Sequence, residues 1–238
     1  MNVWRPQIHI TMLASFCDDH LTDKNTVHSY IEVYESLFSK KKESARRVLE
    51  IGIGPYAPNG GSIKMWAQYF QNAQVHAADI IGIDQVNEDL IDHPRIVLHT
   101  SNNAYNTRFV TNTFKSKGMM FDILIDDGPH TLESMCMFLK LYLPLLKPDG
   151  ILVIEDVQGP DWFDILKACT PAEYEPYIQL HDRRSVKGRY DDLMFVIDKS
   201  ACNRTSSSVG PVLRDSQTLS ATQIHYTDEM MQKQFMYE

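Results

Sequence analysis

Cysteine is scarce in this sequence and spaced unsuitably for metal or redox chemistry. Cys17, Cys136, Cys169 and Cys202 form no C-x-x-C pair, which excludes zinc-ribbon and thioredoxin readings. Reduced thiols, and with them an intracellular, cytoplasmic protein, are the expectation. Long apolar runs are missing too, and none approaches the ~20 residues that cross a bilayer. The stretch from Ile8 to Phe16 is short and mixed and leads into Asp18-Asp19, so it reads as a buried segment rather than a leader. Positive charge is in deficit: 23 bases face 31 acids, a formal charge of −8. Domains that grip phosphate backbones are usually basic, so no nucleic-acid partner is expected. No internal repeat is visible. What remains is 238 residues, 43% hydrophobic, enough for one large domain with appendages.

Short apolar runs alternate with helical stretches, the pattern of an α/β sheet. Strands are predicted at Val48 to Ile53, Gln74 to Ala78, Arg95 to His99, Phe121 to Ile125 and Ile151 to Ile154. Two more, near Tyr177 to Leu180 and Leu193 to Ile197, flank a polar loop too short for a crossover helix, which predicts an antiparallel pair on one sheet edge. Helical spacing covers Asp23 to Ser39, Ile63 to Phe70, Thr107 to Lys117 and Leu132 to Leu143. Lys40-Lys41-Lys42 reads as cations near a helix C-terminus. Pro148-Asp149-Gly150 reads as a turn. Arg204 to Gly210 is a linker signal, followed by a polar tail.

The run V-L-E-I-G-I-G, Val48 to Gly54, is a buried strand ending in two glycines. Glycines there let a ligand approach the main chain, and open parallel sheets bind ligands beyond the carboxyl ends of their strands. The segment satisfies a relaxed dinucleotide fingerprint. However, Pro55, Pro58, Asn59, Gly60 and Gly61 postpone the helix that would meet a pyrophosphate, and Glu50 would repel one. A cationic ligand without phosphate suits the loop better, and S-adenosylmethionine has both a sulfonium and an ammonium. Asp79 closes the second strand 25 residues after Gly54. It reads either as an acceptor for a ribose diol or as a turn residue.

The fourth strand ends I-D-D-G-P-H and the fifth I-E-D. Adjacent parallel strands lie ~4.8 Å apart, so Asp126, Asp127, His130, Glu155 and Asp156 are expected on one rim. Carboxylates gathered so closely repel one another until protonation, a basic partner or a cation relieves them. Hard oxygen donors without thiolates favour Mg2+, Mn2+ or Ca2+. Taken singly, Asp126-Asp127-Gly128 also reads as a turn, Glu155-Asp156 as solvated charge, and His130 as the start of the next helix.

With these residues in view, Leu21 to Lys199 resembles the class I S-adenosylmethionine-dependent methyltransferases. More narrowly, it is similar to the metal-dependent O-methyltransferases of macrolide deoxysugars and rhamnose. The pieces that carry the resemblance are T-D-K with H-x-Y-x-x-V-Y (Thr22 to Tyr34), V-L-E-I-G-I-G, G-G-S-I-K-M-W (Gly60 to Trp66), A-D-I (Ala78 to Ile80), I-D-D-G-P-H, L-K-P-D-G, I-E-D and Y-D-D-L-M-F-V-I-D-K (Tyr190 to Lys199).

The resemblance implies a Rossmann-like, seven-stranded, mostly parallel α/β sheet with one antiparallel edge strand and helices on both faces. It implies domain limits of 21–199, with an extension at 1–20 and a tail at 200–238. It places Mg2+ (or Mn2+) on Asp127, Glu155 and Asp156, and assigns His130 as the base. Glu50, Gly52, Gly54, Ser62, Asp79 and Asp126 would line the S-adenosylmethionine pocket. Asn102, standing where the family usually has G-D-Q, joins them as an adenine contact.

A sugar-containing acceptor is thereby implied. Arg183, Arg184, Lys187, Arg189 and Tyr190-Asp191-Asp192 are expected in a polar loop near it. A catechol-like acceptor, a nicotinamide-dependent oxidoreductase and a silent binding module stay open as alternatives. The first twenty residues and the tail leave room for a homo-oligomer interface.

Overall fold

The computed structural model describes residues 12–54 and 58–200. The predicted linker at 204–210, the tail and Ile8 to Thr11 lie outside the described residues. Seven strands form one sheet in the order β3-β2-β1-β4-β5-β7-β6. They are β1 Arg47–Ile51, β2 Gln74–Ala78, β3 Ile96–His99, β4 Phe121–Asp126, β5 Leu146–Ile154, β6 Ile178–Asp182 and β7 Leu193–Asp198. The five strands from β3 to β5 are parallel. The expected antiparallel pair closes one edge: β7 runs against β5, and β6 runs against β7 outside it. Strand order reverses between β1 and β4, where an open sheet of this kind makes its binding crevice.

Alternation along each strand divides the core in two. Val48, Ile123, Ile125, Ile151, Val153, Met194 and Val196 face α1 (Ile31–Phe38) and α2 (Gly61–Tyr69). Leu49, Leu124, Leu152, Ile154, Phe195 and Ile197 face α4 (Thr107–Thr113), α5 (Leu132–Tyr142) and α6 (Trp162–Cys169). Both faces are therefore covered, as parallel sheets require. Two short helices, α3 (Glu88–Ile91) and α7 (Arg184–Lys187), complete the set. Within the expected buried segment, Leu13 is fully buried and joins the first core. Its backbone N–H donates to Glu35 at 2.6 Å.

Two local expectations are corrected. The helix predicted from Asp23 begins only at Ile31, because Lys24, His28, Ser29 and Tyr30 turn inward while Val27 stays exposed. Pro148-Asp149-Gly150 lies inside β5 rather than ahead of it. It forms an irregularity where the register against β4 shifts between Phe121 and Ile123, a place where a strand tolerates proline.

One buried pair sets an acid limit on the fold. His76 on β2 and His99 on β3 stack 5.3 Å apart with Nδ1 and Nε2 at 3.0 Å, among Phe109, Phe114 and Phe121. Burial pushes both rings down to about 4. An unfolded chain binds protons on these rings near pH 6.5 that the folded chain refuses. Stability from the pair is thus complete above pH 6.5 and lost as pH falls toward 4. We expect a His76→Phe/His99→Leu variant to show a flatter fall of Tm between pH 6.5 and 4 than the parent. Parallel acid limbs for the two proteins would rule the pair out as the cause.

Candidate active site

The glycine turn after β1 and the tip of β4 meet at van der Waals limits. Gly52 has φ +104°, and a Cβ there would stand 2.0 Å from the Asp127 carbonyl oxygen. A Cβ on Gly128 would stand 1.9 Å from the Tyr105 hydroxyl. Gly52 admits no side chain, so the two strand tips approach as closely as backbone allows, whereas at Gly128 a side chain would first have to push the Tyr105 hydroxyl aside. Beside them opens a cavity of about 690 Å3, lined by Gly52, Gly54, Asp79, Asn102, Tyr105, Asp127 and others from the same strand ends.

Four of the residues expected around the methyl donor line this cavity: Gly52, Gly54, Asp79 and Asn102. Asp79 also braces the turn, its Oδ2 accepting from the backbone of Ile53 at 2.6 Å and Gly54 at 3.2 Å and its Oδ1 from Ile81 at 3.2 Å, as the turn reading expects. Glu50, Ser62 and Asp126 sit behind the lining. Glu50 accepts from Trp66 Nε1 at 2.7 Å, and burial raises its pKa to about 7. Ser62 is buried in the first turn of α2. Asp126 accepts from the Tyr105 hydroxyl at 2.5 Å, and burial pushes it up to about 7. Helix α2 opens at Gly61, seven positions past Gly54, so its N-terminus does not meet the turn as a dinucleotide helix would.

At the mouth of the cavity, ligand atoms of Asp127, His130 and Asp156 lie within 4.8 Å of one another. His130 Nε2 is 3.2 Å from Asp127 Oδ1 and 3.3 Å from Asp156 Oδ2. Both His130 and Asp156 hold left-handed backbone, with φ of +53° and +50°. Such conformations cost on the order of 1–3 kcal/mol each and cluster at functional sites. Although burial opposes it, the two carboxylates raise the pKa of His130 above the ordinary imidazole value. The donor set, two carboxylates and an imidazole at the rim of a cavity, fits a hard divalent cation.

Asp127 and Glu155 converge as the sequence predicts, and the cation between them is an ammonium. Lys24 Nζ lies 2.5 Å from Asp127 Oδ2, 2.5 Å from Glu155 Oε2 and 3.6 Å from Glu50 Oε1. Burial alone would lower the pKa of Lys24, but these three carboxylates hold it well above the ordinary amine value. Burial raises Glu155, with the neighbouring acids adding to the effect. Asp127 is held below the ordinary value despite its burial, by Lys24 and His130.

The segment ahead of α1 supplies the other partners, which residue-level reasoning left without roles. The Tyr34 hydroxyl donates to Glu155 Oε1. The Tyr30 hydroxyl donates to Asp156 Oδ1 at 2.6 Å. His28 Nδ1 lies 3.2 Å from Asp156 and 3.1 Å from Asp192. The spacing T-D-K…H-x-Y-x-x-V-Y was the available signal, since Lys24, His28, Tyr30 and Tyr34 within it all meet carboxylates of the strand tips.

The loop cations, by contrast, turn back onto the protein. Arg183 pairs with Glu32, Arg184 with Asp182 and Arg189 with Asp191, while Lys187 donates to the backbone of Asn25 and His28. Lys41 at the end of α1 is buried on Asp149 at 2.5 Å. Trp66 is fully buried in the core.

Known proteins resemble this arrangement. The family described as "Methyltransferase domain" matches residues 42–157. The 8-demethyl-8-alpha-L-rhamnosyl tetracenomycin-C 2'-O-methyltransferase of Streptomyces olivaceus is 32% identical over 155 residues, covering 63% of this chain and 39% of that protein. The mycinamicin VI 2''-O-methyltransferase of Micromonospora griseorubida is 32% identical over 139 residues, covering 57% of this chain and 33% of its own. This chain thus matches well under half the length of these relatives. Among solved structures, the MycE methyltransferase of the mycinamycin biosynthetic pathway, in complex with Mg and SAH, superposes with a TM-score of 0.60 at 24% identity. That match covers 78% of this chain and 54% of MycE, and what it shows is a shared fold. Residues 42–157 thus match the methyltransferase-domain family, and the seven-stranded sheet with its crevice is the fold shared with MycE.

Proposed function

We propose that the chain is an S-adenosylmethionine-dependent O-methyltransferase that uses Mg2+ or Mn2+ and acts on a sugar hydroxyl, such as that of rhamnose on a glycan or natural product. One observation carries the reading: Asp127 both lines the large cavity and contacts His130. Donor cavity and proton acceptor therefore share a wall. The names of the two curated relatives support a deoxysugar acceptor, and the MycE complex with Mg and SAH supports the donor and the ion. We assign the domain to residues 21–199 and place it in the cytoplasm. Among the described residues no helix is long and apolar enough to cross a membrane.

In this reading Gly52, Gly54, Asp79 and Asn102 would hold the donor, whose sulfonium supplies the methyl group. Asp127, Glu155 and Asp156 would hold the divalent ion. When bound, the ion lowers the pKa of an acceptor hydroxyl, as metals do for water. His130 takes the hydroxyl proton at Nε2 as the methyl group passes from sulfur to oxygen. Positioning supplies a large further share, since near-attack geometry can be worth ~7–11 kcal/mol.

The test is mass spectrometry of p-nitrophenyl α-L-rhamnoside and a panel of related glycosides, incubated with S-adenosylmethionine and Mg2+. The expected result is a gain of one CH2 on a glycoside. A gain on catechols with none on any glycoside would overturn the sugar assignment.

A further inference from the structure

Lys24 occupies a place that needs explaining. It is the only lysine among the described residues with its ammonium set between two strand tips, and its side chain is 1% exposed. It reaches the tips from the turns ahead of α1, where Asp23 is more than half exposed, and not from the sheet. A dehydrated ammonium is costly unless anions surround it; here Asp127, Glu155 and Glu50 do so. A divalent ion held by Asp127 and Glu155 would sit about 2.0–2.1 Å from their oxygens, and the ammonium stands 2.5 Å from the same two residues. An ion taken on Asp127 Oδ2 and Glu155 Oε2 would stand where the ammonium now stands, so the two cations compete for those oxygens.

We propose that Lys24 is a built-in counter-ion that a divalent cation must displace, so that loading the site frees the segment carrying Lys24 from the strand tips. The inference rests on Asp127 and Glu155 serving the ion, as proposed above. Before loading, the ammonium keeps three converging carboxylates from repelling one another apart. On loading, the ion supplies twice the charge at the same point. The lysine, on a flexible four-carbon stem, swings its ammonium back into water, where it is strongly hydrated. Release of the segment is coupled to the site through its neighbours, since the Tyr30 and Tyr34 hydroxyls hold Asp156 and Glu155 from the same stretch of chain.

Two measurements test this with Mn2+ alone, no acceptor being required. In the first, Mn2+ is titrated by electron paramagnetic resonance into the parent and into Lys24→Met. Losing the competing ammonium is expected to tighten Mn2+ binding at least about 10-fold, an electrostatic gain of about 1.4 kcal/mol or more. In the second, the parent is treated with an amine-acylating reagent with and without saturating Mn2+, and peptides are read by mass spectrometry. Lys24 is expected to be protected without Mn2+ and acylated several-fold faster with it, while Lys41, buried on Asp149, stays protected in both.

If Lys24→Met does not fold, the labelling of the parent decides alone. Normal Mn2+ binding with Lys24 still protected would overturn the proposal and leave the metal assignment standing. Mn2+ binding by Lys24→Met but not by the parent would overturn displacement and make Lys24 a resident counter-ion that excludes the metal. No Mn2+ binding by either would remove both the assignment and the proposal.

Discussion

His130→Asn is expected to lower kcat by about 10²–10⁴-fold, the usual span for loss of a general base, while S-adenosylmethionine binds as before. Asparagine is the cleaner replacement because His130 holds φ +53°, a conformation that Asn adopts far more readily than Ala. A loss of activity is then not confused with backbone strain. The cavity lining includes Asp127, Gly128, Pro129 and Thr131 but not the His130 side chain, so the donor loses no contact with the change. Calorimetry with S-adenosylhomocysteine should give a Kd within a few-fold of the parent's. Undiminished turnover in the variant would take His130 out of the chemistry.

The second large effect is metal dependence. Chelation with EDTA is expected to abolish methyl transfer, and Mg2+ or Mn2+ to restore it. Asp156→Asn should weaken the restoring metal's apparent affinity by at least the ~10–100-fold typical of changes outside the coordination shell. Asp156, at φ +50°, also tolerates this replacement. The ion and the base are linked through shared anions. Asp127 and Asp156 both face His130 Nε2 and, against the opposing effect of burial, raise its pKa, so without a cation the ring holds a proton more readily than an ordinary imidazole. When those carboxylates serve an ion, the ring loses the anions that hold its proton. Proton release on Mn2+ binding near neutral pH, read in a weakly buffered indicator solution, is therefore expected. Full activity in chelator would sink the metal assignment.

Much of this protein is legible without coordinates. Alternation of Val48 with Leu49, and of Ile123 and Ile125 with Leu124, marks strands covered on both sides. The glycines at 52 and 54 and the acidic strand ends mark the rim at which a ligand binds. Local rules suffice there because strand periodicity, turn chemistry and the tendency of parallel strands to end at one rim all act over a few residues. The same rules misplace the start of α1. Val27 falls at helical spacing from Ile31 and Tyr30 from Tyr34, but Tyr30 is spent on Asp156 126 residues away, and no local signal announces such a contact. They also read Pro148-Asp149-Gly150 as a turn, because the pairing that draws it into β5 is made with β4.

The sequence by itself determined that acidic strand ends would gather at one rim and that their repulsion required a partner. Only the tertiary structure decided which partner stands there: Lys24, separated from Asp127 by 103 residues and from Glu155 by 131. The physical reason is range. Periodicity and turn preference are set by neighbours along the chain, whereas the pairing of buried charges is set by whichever groups the packed fold brings within a few ångströms, whatever their distance in sequence.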